Sequence, residues 1–154
     1  MPNPTNTPTK NDTPNSFNNE EYLVRFTYLD GFCDRLLNIE LLLDLDFTFE
    51  LSYSTFQLDQ KRKQGKLPNE IRTDLLALIE LDLSQLNESY EIHEGATDFP
   101  FYTMMMNQYG EKLTYTIGTI PTLSEGHSNE EQLFFKILFA LKKFLTRETG
   151  YEIN

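Results

Sequence analysis

One cysteine, two histidines and no tryptophan occur in the 154 residues. A lone thiol, Cys33, allows no internal disulfide and no thiolate zinc cage, which needs several Cys or His ligands. Apolar runs are short, and none approaches the roughly 20 residues a membrane-spanning helix requires. Positive charge is scarce: 13 Lys and Arg stand against 24 Asp and Glu, a formal net charge of -11. That field repels phosphate backbones at long range, which argues against nucleic acid as a partner. The chain also has no Gly-x-Ser-x-Gly elbow, no phosphate-cradling P-loop and no Gly-x-Gly-x-x-Gly.

What is present suffices for one domain. Hydrophobic residues make up 39% and aromatics 13% of the chain, and a chain near this length buries about 68–70% of its unfolded surface without covalent staples. Charge is unevenly spread. Residues 20–60 hold nine acids and two bases, and residues 74–100 hold seven acids and no base. Between them, Lys61, Arg62, Lys63, Lys66 and Arg72 face Glu70 alone.

Residues 1–19 are rich in Asn, Pro and Thr and carry one late aromatic, Phe17. Such a segment buries too little to offset its ordering entropy, so a disordered leader is expected there. A single α+β domain is expected over 20–154. Tyr22, Val24, Phe26 and Tyr28 alternate with Leu23, Arg25 and Thr27, and Leu37, Ile39, Leu41 and Leu43, then Phe47, Phe49, Leu51 and Tyr53, follow the same period. This is the period of half-buried strands, and the short connections make them an antiparallel meander. KRKQGK at 61–66 reads as a connecting loop. Pro68 then opens a helix whose stripe runs Ile71, Leu75, Leu78, Ile79, Leu83 and Leu86.

Tyr90–His93 reads as a short strand, and Gly95 to Pro100 as a turn. Phe101–Met106 is apolar on both faces, which fits a strand covered on both sides or one whose second face meets a partner. Tyr109-Gly110 turns into Leu113, Tyr115 and Ile117. Ser128-Asn129-Glu130-Glu131 matches the capping box of a closing helix, with Phe134, Ile137, Leu138, Leu141, Phe144 and Leu145 as its stripe and Gly150 as its stop. The expected architecture is a two-layer α+β sandwich, an antiparallel sheet with two helices on one face, in the order β-β-β-α-(β)-β-β-α.

Gly31-x-Cys33, Leu37-x-Ile39, the helix leucines, Tyr90 and Asp98-Phe99-Pro100 together resemble a family of small bacterial domains of unknown function. That family shares a Gly-x-Cys-Pro opening strand and an Asp-x-Pro strand start. Here Asp34 follows the cysteine, and Leu36 stands where the family has an aromatic. The resemblance implies a fold over roughly residues 20–147 and no activity.

Chemistry-bearing residues are few. His93, Glu94 and Asp98 lie close in sequence beside a turn and are read as surface and capping residues rather than cation ligands. His127 precedes a capping serine, and Asp34 beside Cys33 is expected to disfavour the thiolate, which would make Cys33 a poor nucleophile. Lys61, Arg62, Lys63 and Lys66, without interleaved aromatics, are read as a solvated connector rather than a phosphate or acidic-partner grip. No catalytic, cofactor-binding or metal-ligating residue is assigned, and no cofactor.

The expectation is therefore a non-enzymatic acidic binding or inhibitor module, of the immunity-protein or antitoxin kind, acting on a basic protein. The alternative is a tethered surface or periplasmic domain with a structural or ligand-holding role. As written from Met1 the chain is expected to be cytoplasmic; the alternative is an exported lipoprotein whose signal has been removed. The sequence fixes no oligomeric state.

Overall fold

Val24, Phe26 and Tyr28 are fully buried while Arg25 is exposed, and this alternation makes Val24–Leu29 a strand, β1. The structure is a computed structural model in which residues 22–30, 35–57, 59–92 and 100–153 are described. The leader expected at 1–19 and residues 31–34 lie outside them. β2 (Asn38–Leu43) and β3 (Thr48–Ser54) follow as the expected antiparallel meander. Ile39, Leu41 and Leu43 face Phe49, Leu51 and Tyr53 on the side that Phe26 occupies.

KRKQGK is not a loop. Lys61–Lys66 forms β4, paired antiparallel to β3 along its whole length. Its residues have poor intrinsic strand preference, so register supplies what propensity does not. Gly65 sits against Phe49, and a Cβ there would lie 2.9 Å from Phe49 Cε2, so only glycine lets the ring pass beneath the strand. Lys63 reaches down to the Glu148 carbonyl and stands 3.7 Å from its carboxylate.

The first helix, α1 (Asn69–Ile79), begins after Pro68 and buries Ile71, Leu75 and Leu78. It stops sooner than its apolar spacing suggests. Asp82 accepts a hydrogen bond from the Ser84 backbone and starts a separate 3-10 turn, Leu83–Gln85. Leu83 and Leu86 remain in the core from that turn. Ser89–Tyr90 forms β5, and His93 lies outside the described residues.

β6 (Phe101–Gln108) and β7 (Glu111–Ile117) form the second hairpin. The closing helix, α2 (Asn129–Thr149), carries both halves of the capping box, and Gly150 stops it at φ 80.

The seven strands lie in the order β4-β3-β2-β1-β6-β7-β5. Every neighbouring pair is antiparallel except β5 and β7, so the sheet is mixed where an antiparallel one was expected. Both helices cover one face. Phe144 meets Phe49 edge-on at 5.3 Å, Phe134 meets Tyr115 at 5.4 Å, and Gln108 donates to the Ile79 and Leu81 carbonyls. Asp74, at the edge of the α1 stripe, pairs with Lys136 of α2 at 3.3 Å. The buried layer contains Tyr28, Tyr102, Phe26, Phe134 and Phe135, and each large apolar side chain so buried contributes about 1.5–3 kcal/mol.

Candidate functional site

Of the residues weighed for chemistry, His127 and the basic cluster Lys61, Arg62, Lys63 and Lys66 fall among the described residues. Cys33, Asp34, His93, Glu94 and Asp98 lie outside the described residues. His127 Nδ1 is 3.3 Å from Ser124 Oγ, and its ring packs edge-on against Phe135 at 4.9 Å, a packing role beside the helix start. Among the described residues, no group of three or more His, Cys, Asp or Glu side chains is placed to hold a metal ion. The apolar strand expected at 101–106 divides its two faces unequally. Tyr102, Met104 and Met106 enter the core, Met105 is covered by Tyr22, whose hydroxyl is 2.8 Å from its sulfur, and Phe101 is 38% exposed.

Over β2, β3 and β4 the face of the sheet away from the helices is mostly polar. Arg25 pairs with Glu40 at 2.6 Å across β1 and β2, above a shallow depression of about 200 Å³ lined by Thr27, Asn38, Ser52 and Ser54. Glu50 lies on this face between Leu42 and Gln64 and is buried, with Arg62 at 3.4 Å. Burial pushes its carboxyl above the usual glutamate range, and Arg62 opposes that shift only in part. Between α1 and α2 runs a second depression of about 370 Å³, with Ile71 and Phe139 inside and Lys136 and Arg147 at its rim.

One end of the sheet is closed by its own chemistry. The Asp30 carboxylate is 1% exposed and accepts from the Arg35 guanidinium at 2.7 and 3.0 Å, the Tyr28 hydroxyl at 2.7 Å and the Leu37 N–H at 2.9 Å. The hydrogen bond to Asp30 holds the Arg35 guanidinium above its ordinary range. With these four bonds, Asp30 ties the end of β1 to Arg35 and Leu37 ahead of β2.

The other end is open, acidic and tipped by an aromatic ring. The β2–β3 turn carries Asp44 and Asp46, with Leu45 between them 68% exposed. Asp44 accepts from the Asp46 and Thr48 N–H groups, which shapes this turn. Two backbone bonds, Leu23 N–H to the Leu43 carbonyl and Asn107 N–H to the Leu23 carbonyl, join β2 and β6 to the start of β1, so the β6–β7 turn lies at the same end. Gln108 ties the end of α1 there as well, bringing Glu80 and Asp82. Hydrogen bonds from Ser84 hold the Asp82 carboxyl below its ordinary range, so it stays ionised. With Glu111, five acids gather against Lys66 and Lys112.

Tyr109 lies on the β6–β7 turn at this same end. It is 84% exposed, with φ 53, and Gly110 follows at φ 85. Two successive positive φ values define the tight hairpin turn that Asn-Gly or Asp-Gly usually occupies. A tyrosine there stores strain and presents its ring to solvent. An outlier of this kind points toward function rather than stability. In the sequence, Tyr109-Gly110 reads only as a turn. The available signal was the aromatic where the turn type favours Asn or Asp.

No protein-family model matches the chain, and no curated protein matches it. The functional reading therefore rests on these residues.

Proposed function

We propose that the chain is a non-enzymatic binding or inhibitor module whose acidic end docks a basic protein. The carrying observation is Tyr109, strained and exposed at the end of the sheet that also carries Asp44, Asp46, Glu80, Asp82 and Glu111. Aromatic residues dominate binding hot spots, and a tyrosine face attracts Arg or Lys. Exposed Leu45, on the β2–β3 turn of the same end, adds an apolar contact. The surrounding acids steer a cationic partner and select against acidic ones. The net charge of -11 extends that steering to long range.

The test is affinity capture of a cationic protein from an extract of the source organism, at low and high salt. Three baits are compared: wild type, Tyr109→Asn, and the pair Asp46→Lys with Glu111→Lys. Wild type should retain one cationic protein at low salt. Tyr109→Asn should weaken retention, and the charge-reversed pair should abolish it. Equal retention by all three baits overturns the reading, as does the absence of any salt-sensitive cationic protein.

A further inference from the structure

Nine of the 13 bases lie on β4, α1 and α2, opposite in character to the acidic end. β4 holds four of them within six residues, and among the described residues it hydrogen-bonds to β3 and to no other strand. We infer that this edge takes an acidic, extended segment of a partner protein as an added strand.

Hydrogen-bond phase supports the inference. In an antiparallel ladder, residues alternate between pointing their backbone groups at one neighbour and away from it. The Leu67 N–H bonds the Phe47 carbonyl, the pair next along from Lys66 and Thr48. Counting back, Gly65, Lys63 and Lys61 turn their backbone groups toward β3. The bond from Asp30 N–H to the Leu37 carbonyl, carried strand by strand through β1, β2 and β3, gives the same phase. Arg62 and Lys66 accordingly direct their N–H and C=O groups outward. They are four residues apart, about 13 Å at strand rise, so an occupant must be extended to engage both.

Side chains select the occupant. Arg62 and Lys66 stand on the helix-free face, and Lys61 and Lys63 on the helix side. An added strand meets cations on both of its faces, and opposite charges across a ladder favour an acidic strand. A second copy of β4 would set lysines and arginine against their own kind, which disfavours self-pairing. Strand addition of this type draws affinity from main-chain bonds and specificity from alternate side chains.

The probe is a ten-residue peptide alternating Glu and Thr, with a Lys and Thr peptide as control, added to the full chain. Amide exchange at Arg62 and Lys66 is the readout. The acidic peptide should slow both amides about tenfold at saturation, and the basic peptide should not. Arg62→Pro removes one outward donor and leaves the β3 ladder, which runs through Lys61 and Lys63. Arg62→Gln keeps the donor and removes the charge. Arg62→Pro should abolish protection at Lys66, whereas Arg62→Gln should weaken peptide affinity a few-fold and retain protection. Retained protection at Lys61 and Lys63 shows that the proline variant has kept its fold; if they also open, Lys66→Gln and Arg62→Gln alone decide on affinity and protection. Three results overturn the inference. They are equal binding of both peptides, binding of inorganic polyphosphate as tight as the peptide with neither amide protected, and full protection of both amides without peptide.

Discussion

The Tyr90 hydroxyl donates to Glu131 Oε2 at 2.8 Å while Glu131 Oε1 accepts the Ser128 N–H at 3.1 Å. One carboxylate thus completes the cap of α2 and anchors the two-residue β5. The Tyr90 oxygen in turn accepts the Asn87 N–H at 2.8 Å, and its ring meets Phe135 edge-on at 4.9 Å. Burial, with Glu131 alongside, raises the Tyr90 phenol well above its ordinary range, so it remains a donor at all working pH values. Hydrogen bonds to charged groups contribute about 1.5–3 kcal/mol. Tyr90→Phe and Glu131→Ala should therefore each destabilise, and a double-mutant cycle by urea unfolding should return a coupling of about 1 kcal/mol or more. Additive effects would show that cap and strand are independent.

Tyr109 is expected to trade stability for binding. A left-handed backbone costs a non-glycine residue roughly 1–2 kcal/mol, and Tyr109 adopts φ 53. Asn suits this turn position better, so Tyr109→Asn should raise the unfolding free energy by about 0.5–1 kcal/mol. The same variant should lower retention of a cationic partner. A stability loss in urea titration would mean that the exposed ring contributes packing instead.

Local signals and long-range pairing divide what the sequence discloses. β1, β2, β3 and the stripe and caps of α2 are legible because each is encoded in a short repeating pattern, with Ser128 and Glu131 three residues apart. β4 is not, since Lys61–Lys66 has no apolar alternation and becomes a strand only through β3. The end of α1 is hidden for the opposite reason. Leu83 and Leu86 continue the helical period, yet Asp82 caps a new turn. The parallel pairing of β5 with β7 joins residues 27 apart, Ser89 and Thr116, and no local pattern records it. At the acidic end, the acids are visible in the sequence, but their gathering depends on Gln108 binding the end of α1.

Glu50 gives the fold a pH dependence with a defined sign. Desolvation raises its carboxyl in the folded state. Where the folded group binds protons more tightly than the unfolded one, stability falls as pH rises through the interval between the two pKa values. Glu50→Gln carries no such penalty. The variant should match wild type below the ordinary glutamate range and gain on it as pH rises toward neutrality. Paired urea titrations of the two proteins across acid to neutral pH isolate this group, because every other carboxylate is shared. A gain that shrinks with rising pH would show that Arg62, not burial, governs the site.

Gly118 sets how closely β5 can approach β7. A Cβ at this position would press into the Glu91 carbonyl oxygen and stand 3.1 Å from Ile92 Cα. These are backbone atoms, which cannot rotate aside. The Gly118 N–H also donates to the Tyr90 carbonyl at 2.9 Å, so displacement there breaks the β5 attachment. Overpacking of this kind costs about 1–3 kcal/mol. Gly118→Ala should destabilise by that amount and speed exchange at the Gly118 amide and at Thr116, whose N–H bonds the Glu88 carbonyl. Amides in β1 and β2 should be unaffected, since Tyr28, Ile39 and Leu41 pack several strands away. A cost below about 0.5 kcal/mol, with exchange unchanged, would show that the chain at Glu91 moves aside freely and that the close approach is not structural.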